Sequence, residues 1–195
     1  DAAPLARALE EGGLPCAEVT FRTAAAAQAI AEMVKACPDM LVGAGTVLTT
    51  AQVDEAVADG AKFIVSPGLN PNVVKYCVDK DIPVMPGINN PSGIEQAMEL
   101  GLKVVKFFPA EPSGGLNMLK AMAAPYGGVR FMPTGGISPA NVGDYLAWNR
   151  IIACGGSWMV PPKMLAEGNF DGIKRLAREA VDTMLNLRFE HLGIN

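Results

Sequence analysis

The sequence predicts a (β/α)8 barrel, and two repeated features carry this prediction. Short apolar strands alternate with helical segments, and strand starts recur roughly every 20 to 25 residues, the spacing of consecutive βα units in a parallel sheet. Polar or glycine-rich residues follow nearly every strand, whereas a doubly wound open sheet collects its chemistry in one crevice. Because a barrel gathers the carboxyl ends of all its strands at one mouth, we expect the barrel rather than the open sheet.

The order of the elements follows from caps, turns and apolar runs. The chain opens with a predicted helix over residues 1–11, which a Gly-Gly pair ends. Thr23 is the expected cap of the second helix, and three later helices begin with a capping residue and a proline, at Asn70-Pro71, Asn90-Pro91 and Ser138-Pro139. The predicted strands are 17–22, 40–45, 62–66, 82–85, 103–108, 129–133 and 151–154.

These segments make seven strands, one fewer than the barrel needs. An open gap would expose strand edges and core side chains, so we expect the first strand to precede Asp1, outside the sequence. The 195 residues, half of them hydrophobic, suit one α/β domain. We therefore expect a single domain over residues 1–195, in which residues 187–195 are a C-terminal extension.

Charge and composition exclude several classes of function. The formal net charge is −4 and no basic block interrupts the chain, so neither nucleic acid nor a membrane is an expected partner. No apolar run is long enough to span a bilayer, and no signal peptide opens the sequence. The four cysteines lie far apart and His191 is the only histidine, so we expect reduced thiols in a cytoplasmic protein and no metal site.

Lys106 is the most informative residue, because it interrupts the otherwise apolar strand over residues 103–108. Period-two alternation puts Lys106 on the same face as Val104 and Phe108. Three interpretations of this lysine are open. It can reach solvent at a sheet edge, it can pair with a buried carboxylate, or desolvation can lower its pKa so that the neutral amine attacks a carbonyl.

Polar residues on two earlier strands extend this picture. Alternation along the strand over residues 17–22 puts Glu18 and Arg22 on one face. If that face is the interior, Glu18 can move protons and the planar fork of Arg22 suits a carboxylate. A mutual ion pair and a solvent-facing edge strand are the alternatives. Thr46, which follows a Gly-Ala-Gly run, can supply a hydroxyl donor or simply cap a helix.

Two glycine-rich loops predict an anion site. Each follows one of the last two predicted strands, where backbone N–H groups without side chains can cradle a phosphate. Barrel enzymes often bind phosphate after strands seven and eight. A single Gly-Gly pair is more simply explained as a turn, but the pairing on neighbouring strands favours phosphate binding. The residues are Thr134, Gly135 and Gly136 in one loop and Gly155, Gly156 and Ser157 in the other.

A lysine, a carboxylate, an arginine and a phosphate cradle at one barrel mouth describe a Schiff-base enzyme that acts on a phosphorylated 2-oxo acid. Six strings closely resemble, in the same order, those of the bacterial 2-keto-3-deoxy-6-phosphogluconate aldolases, also called KDPG/KHG aldolases. The resemblance extends from the first helix to about residue 185. The strings are EVTFRT (18–23), GAGTVL (43–48), SPG (66–68), KFFPAE (106–111), PTGGI (133–137) and GGSW (155–158).

The resemblance implies a role for each matching residue. Lys106 looks like the imine-forming lysine, and Glu18 looks like the general acid/base. The other matching residues are implied to bind substrate: Arg22 and Thr46 its carboxylate, Pro67, Phe108 and Thr134 in the pocket wall, and Gly135, Gly136, Gly155, Gly156 and Ser157 its phosphate.

The family implies a class I aldolase that cleaves 2-dehydro-3-deoxy-6-phosphogluconate to pyruvate and glyceraldehyde 3-phosphate, and that also acts on 4-hydroxy-2-oxoglutarate. It further implies a homotrimer of barrels that uses no metal or other cofactor. Two alternatives stay open. One is a phosphate-binding barrel isomerase or epimerase, in which Glu18 is the base and Lys106 only polarises an oxygen, and the other is a non-catalytic oligomeric scaffold.

Overall fold

Six parallel strands form one sheet in the computed structural model, which describes residues 1–185. The strands follow the order of the chain, so each pairs with the next. A doubly wound sheet reverses its strand order at a switch point, and this sheet does not. The strands are β1 Cys16–Thr20, β2 Leu41–Gly45, β3 Ile64–Ser66, β4 Val84–Ile88, β5 Val104–Phe107 and β6 Arg130–Pro133.

Helices connect the strands and cover the outside of the sheet. The last helix, α9, packs against the first, α1, so the layer of helices closes into a ring. No helix within residues 1–185 has both the length and the apolar character needed to cross a bilayer. The helices are α1 Ala2–Glu11, α2 Ala26–Ala36, α3 Thr50–Ala58, α4 Pro71–Asp79, α5 Pro91–Glu99, α6 Gly115–Ala123, α7 Val142–Leu146, α8 Pro162–Ala166 and α9 Phe170–Met184, with a 3₁₀ turn at Glu111–Ser113 before α6.

The two faces of the sheet pack into different apolar clusters. Ile64 belongs to the outer cluster between sheet and helices, whereas its neighbour Val65 belongs to a separate inner cluster. The inner cluster contains Phe63 and Met132, with Met85 beside Val65 in register. Since β3 and β6 contribute to the same inner cluster, the sheet is curled around an interior. The predicted barrel architecture is confirmed.

The predicted strand over residues 151–154 is only partly formed. Two isolated parallel bridges, Phe131 to Ile151 and Thr134 to Gly155, join this segment to the end of β6. The Ile152 N–H donates to the Phe131 carbonyl at 3.1 Å, so the predicted neighbour and direction are right. Pairing at the two ends of the segment leaves no continuous ladder between them. The predicted extension, residues 187–195, lies outside the described residues.

Two of the predicted helix caps are confirmed. The side chain of Asn70 accepts a hydrogen bond from the Asn72 N–H, and that of Asn90 accepts one from the Gly93 N–H. A proline occupies the first helical position in both helices. The capping residue and the proline together satisfy a free N–H group and set φ for the first turn.

The other two predicted caps are wrong. Helix α7 begins at Val142, and the Ser138 N–H donates to the side chain of Asn141 instead of opening a helix. Helix α2 begins at Ala26 without a side-chain cap, because the carbonyl of Thr23 accepts the Ala26 N–H in a backbone turn. In both places a local turn replaces the first helical turn that the sequence pattern predicts.

Candidate active site

Lys106 lies on β5 with its side chain inside the barrel. In register it is flanked by Gly87 of β4 and Met132 of β6. The residue is 6% exposed, so the edge-strand alternative does not hold. Its ammonium nitrogen lies 3.6 Å from Oε1 of Glu18 on β1, which is an ion-pair distance too long for a direct hydrogen bond.

The surroundings of Lys106 favour the neutral amine. Burial lowers the pKa of the Lys106 ammonium below its ordinary value, the Glu18 carboxylate acts in the opposite direction, and the Arg22 guanidinium adds a smaller lowering. The ring of Phe108, centred 5.2 Å from the ammonium nitrogen, contributes to the apolar surroundings. Desolvation is the largest of these effects, so the site has an amine closer to its nucleophilic form than an exposed lysine.

Glu18 reaches the lysine because β2 has no side chain in its path. In register Glu18 faces Gly43, and its carboxylate lies over Gly45. A Cβ atom on Gly45 would overlap the Glu18 carboxylate. The glycine is therefore a steric requirement of the site, because only glycine leaves room for the carboxylate at this close approach.

Arg22 and Thr46 lie just beyond the ends of neighbouring strands. The Phe21 N–H donates to the Gly45 carbonyl at 2.7 Å and extends the pairing of β1 and β2 to this level. Arg22 is exposed and Thr46 is half-buried, with a backbone φ of 58° that side chains rarely adopt. Within residues 1–185 neither side chain forms an ion pair or a hydrogen bond, so both are available at the mouth of the barrel.

Pro67 and Phe108 line an open cavity after the ends of β3, β4 and β5. The cavity has a volume of about 650 Å³ and also contacts Gly87, Asn89 and Pro109. The Phe108 N–H donates to the Ile88 carbonyl at 3.1 Å, which fixes the aromatic residue at the end of β5. The volume is in the range of small-molecule sites, and it lies at the carboxyl ends of the strands, where barrel enzymes bind their ligands.

The loop after β6 exposes backbone N–H groups. The carbonyls of Thr134 and Gly135 accept hydrogen bonds from the N–H groups of Ala110 (2.8 Å) and Glu111 (3.0 Å), in the loop after β5. Within one peptide unit the C=O and N–H groups point in opposite directions. The N–H groups of Gly135 and Gly136 are therefore directed away from the loop after β5, and residues 151–155 neighbour the other side of β6. Neither N–H group donates to an acceptor within residues 1–185.

The loop at residues 155–157 lies next to the loop after β6. Gly155 pairs with Thr134, and a Cβ atom on Gly155 would overlap the Thr134 hydroxyl. The Oγ1 atom of Thr134 is buried and has no hydrogen-bond partner among the described residues. Ser157 is exposed, and the ring of Trp158 packs over Gly156. The two neighbouring loops thus bring the free N–H groups of Gly135 and Gly136 and the exposed Ser157 to one end of the sheet, which suits an anion.

The structure adds three residues that the sequence reasoning did not assign to the site. Glu111 and Tyr145 form a hydrogen bond of 2.5 Å, and Asn141 contacts the loop after β6 through its side chain. Glu111 stood in one of the resembling strings without a role. The sequence carried no signal for the Glu111–Tyr145 pair, because the two residues are 34 positions apart and meet only through tertiary packing.

The arrangement combines the components of imine chemistry in one place. A desolvated amine supplies the nucleophile and a carboxylate at 3.6 Å supplies proton transfer. Phe108, whose ring centre lies 5.2 Å from the ammonium nitrogen, also lines the cavity. Within residues 1–185 no group of three or more His, Cys, Asp or Glu side chains is placed to hold a metal ion.

Comparison with known proteins gives the family of this chain. The family described as "Aldolase: KDPG and KHG aldolase" matches residues 1–176. A 2-dehydro-3-deoxy-phosphogluconate aldolase of Treponema pallidum (strain Nichols) is 53% identical over 181 residues, which are 93% of this chain and 86% of the relative.

Two solved structures show the same fold. The 2-keto-3-deoxy-6-phosphogluconate aldolase of Zymomonas mobilis ZM4 with 3-phosphoglycerate has a TM-score of 0.87 and 44% identity, over 92% of this chain and 84% of that one. The KDPG aldolase of Legionella pneumophila, with pyruvate captured at low pH as a covalent carbinolamine intermediate, has a TM-score of 0.88 and 39% identity, over 91% and 86%. The chain therefore belongs to the KDPG and KHG aldolase family.

Proposed function

We propose that this chain is a class I aldolase that cleaves 2-dehydro-3-deoxy-6-phosphogluconate to pyruvate and glyceraldehyde 3-phosphate, and that it also acts on 4-hydroxy-2-oxoglutarate. The observation that carries the proposal is the buried Lys106 amine beside the Glu18 carboxylate, at 3.6 Å. Membership of the family supports the choice of substrates. The geometry suits imine formation more directly than isomerisation, which has no need for a desolvated amine.

Lys106 is the proposed nucleophile. Its neutral amine adds to the C2 ketone to form a carbinolamine, and loss of water from the carbinolamine gives a cationic imine. Glu18 is proposed to deliver and remove the protons of these steps. A base then takes the C4 hydroxyl proton, the C3–C4 bond breaks, and its electron pair moves into the imine as an enamine. Protonation of C3 and hydrolysis release pyruvate and the free lysine.

Arg22 and Thr46 are proposed to hold the carboxylate of the substrate. The arginine fork matches the two carboxylate oxygens, and the threonine hydroxyl adds a donor at the neighbouring strand end. Pro67, Phe108 and Thr134 are proposed to form the pocket wall around the reacting carbons. The location of Pro67 and Phe108 on one cavity supports this assignment.

The phosphate is proposed to bind between the two glycine-rich loops, at Gly135, Gly136, Gly155, Gly156 and Ser157. The support is that the Gly135 and Gly136 N–H groups point away from the loop after β5 and have no acceptor within residues 1–185, and that the adjoining Thr134 pairs with Gly155. An N–H cradle stabilises a dianion without a lysine or arginine, which agrees with a chain that has no basic block.

The proposed assembly is a cytoplasmic homotrimer that uses no metal, in which residues 1–195 of each chain belong to one domain. The family resemblance supports the trimer, and the absence of a disulfide among the four cysteines of the described residues agrees with a reducing compartment. Light scattering on the purified protein measures the assembly directly. A mass of one or two chains would contradict the trimer.

Imine trapping tests the proposed chemistry. Borohydride reduction in the presence of pyruvate should leave a carboxyethyl group on Lys106, located by peptide mass spectrometry. Lys106→Ala should lose both the label and aldol cleavage, whereas Lys103→Ala, at an exposed position near the start of the same strand, should keep both. Cleavage without any trapped lysine would exclude the class I mechanism. Absence of cleavage with both substrates would favour the isomerase or scaffold alternative.

A further inference from the structure

The loop that carries the Gly135 and Gly136 N–H groups is held in place by hydrogen bonds from residues that are not proposed to contact the substrate. Three successive carbonyls of this loop are hydrogen-bonded: that of Thr134 to the Ala110 N–H, that of Gly135 to the Glu111 N–H, and that of Gly136 to Nδ2 of Asn141 at 3.0 Å. Each bond fixes the plane of one peptide unit. Together they set the directions of three consecutive N–H groups.

Glu111 lies at the centre of this arrangement. Its N–H holds the Gly135 carbonyl, and its Cβ and Cγ atoms occupy the space where a side chain at position 136 would begin. Gly136 has a φ of 83°, so the backbone at this point also favours glycine. The aliphatic part of Glu111 therefore packs directly on the loop, and a shift of Glu111 moves the loop.

Tyr145 fixes the carboxylate of Glu111. The phenol donates to Oε1 of Glu111 at 2.5 Å, and Tyr145 itself is 1% exposed. Burial and the hydrogen bond to the Glu111 carboxylate raise the pKa of the phenol, so it remains a donor at all physiological pH values. The hydrogen bond holds the negative charge of Glu111 against α7.

Asn141 completes the support from the same side of the loop. Its Oδ1 atom accepts the Ser138 N–H at 2.8 Å while its Nδ2 group donates to the Gly136 carbonyl. One side chain thus joins the end of the glycine loop to the start of α7. Tyr145 lies one turn later on the same helix. Helix α7 therefore provides both supports.

We infer that Glu111, Asn141 and Tyr145 are positioning residues for phosphate recognition, which hold the Gly135 and Gly136 N–H groups in place without touching the substrate. The inference rests on the proposed function, because it presupposes that a phosphate binds between the two loops. A preorganised N–H cradle binds its anion more tightly than one that must be ordered on binding. Loss of one of these positioning residues should therefore weaken the binding of the phosphorylated substrate, and leave the binding of the unphosphorylated one nearly unchanged.

Tyr145→Phe removes only the hydroxyl oxygen and tests the inference. The expected result is a rise of about tenfold in KM for 2-dehydro-3-deoxy-6-phosphogluconate, with kcat within about twofold. The kcat/KM for 4-hydroxy-2-oxoglutarate, which has no phosphate, should stay within about twofold of that of the wild-type protein. The inhibition constant of inorganic phosphate should rise in parallel with the KM of the phosphorylated substrate.

Glu111 supplies a second pair of variants, which keeps the test valid if Tyr145→Phe folds poorly. Glu111→Ala should reproduce the selective loss. Glu111→Gln retains an acceptor for the phenol and the same aliphatic packing, so it should restore most of the lost affinity. Tyr76→Phe is the matched control, because it removes a tyrosine–carboxylate hydrogen bond, to Asp54 at 2.8 Å, away from both the loop and the cavity.

The outcomes separate the two proposals. If the wild-type chain cleaves neither substrate, the proposed function fails and the inference falls with it. If the wild-type chain cleaves both and favours the phosphorylated one, but Glu111→Ala alters both substrates equally or neither, only the inference is overturned. A Glu111→Gln variant as impaired as Glu111→Ala would also overturn it, because the support would then not depend on the hydrogen-bond geometry.

Discussion

The ammonium nitrogen of Lys106 lies 3.6 Å from Oε1 of Glu18, although three strands separate β5 from β1 in the sheet. Four strand spacings in a flat sheet would put these backbones about 19 Å apart, beyond the combined reach of the two side chains. The contact is therefore a product of the curled sheet. The side chain of Lys106 is 7% exposed and that of Glu18 is 25% exposed, so the amine is desolvated while the carboxylate remains accessible from the mouth.

Glu18→Gln should separate imine formation from proton transfer. The carboxylate raises the pKa of Lys106, so its removal lowers that pKa further and leaves the amine neutral at lower pH. Aldol cleavage should fall by about 10² to 10⁴-fold, the usual contribution of a general acid/base. Borohydride trapping with pyruvate should persist, and the acidic limb of its pH profile should shift to lower pH.

A second variant controls for the loss of a negative charge elsewhere on the protein. Glu55→Gln, at an exposed position of α3 away from the cavity, should leave kcat and the pH profile unchanged. If the acidic limb for Glu18→Gln moved to higher pH, the charge assignment in the pair would be wrong.

Lys106→Met should stabilise the fold while abolishing the reaction. The pKa of the buried ammonium is lower in the folded chain than in the unfolded chain, so folding opposes protonation at this site. The loss of stability from burying the ammonium is fully present below the pKa of Lys106 in the folded chain. It disappears as the pH rises toward 10.5, the pKa of the lysine in the unfolded chain. Replacement by an apolar side chain of similar length should raise the free energy of unfolding by about 1 kcal/mol or more at neutral pH.

Thermal unfolding at several pH values measures this effect. The gain in Tm for Lys106→Met should be largest at neutral pH and should shrink toward pH 10. Lys103→Met, at an exposed position, should show no such trend. A Tm for Lys106→Met that is unchanged or lowered at neutral pH would mean that the ion pair with Glu18 outweighs desolvation.

Gly45→Ala should impair catalysis without adding or removing a functional group. The added Cβ atom would overlap the Glu18 carboxylate and push it away from Lys106. We expect kcat to fall by about 10²-fold, in the range for a displaced general acid/base. Gly128→Ala, where the added Cβ atom meets open space, is the matched control and should keep full activity. Equal activity of the two variants would show that Glu18 does not need its observed position.

The features of the site that follow from local rules could be predicted from the sequence. Strand alternation has a period of two, so the side of β5 that carries Lys106 follows from the sequence once the strand is recognised. Glycine pairs after neighbouring strands likewise predict where side chains are absent, at Gly135 and Gly155. Neither prediction needs knowledge of how distant segments pack.

Contacts made through tertiary packing could not be predicted in the same way. Ser138-Pro139 has the pattern of a helix start, yet Asn141 captures the Ser138 N–H and delays α7 to Val142. The hydrogen bond between Glu111 and Tyr145 depends on how α7 sits beside the loop after β5. A sequence pattern describes each segment separately. It therefore does not predict which of several segments will bind a given N–H group or carboxylate.

Arg150 is a further residue of this kind, and it should be important for stability. Its guanidinium donates to the carbonyls of Ala123, Tyr126 and Val129, and thereby joins the end of α6 to the start of β6. The central guanidinium carbon, Cζ, also lies 5.4 Å from the centre of the Trp148 ring. Arg150→Ala leaves three carbonyls without this donor, so the free energy of unfolding should fall by about 2–4 kcal/mol, as measured by urea denaturation.

The activity of the folded Arg150→Ala protein should be unchanged, because none of these contacts reaches the mouth of the barrel. Arg150→Lys should recover only part of the lost stability, since an ammonium group cannot reproduce the planar fork that serves several carbonyls at once. Arg130→Ala, at the exposed start of β6, controls for the loss of a positive charge and should change stability little. An Arg150→Lys protein as stable as the wild-type protein would contradict this role, because charge alone would then account for the contribution of Arg150.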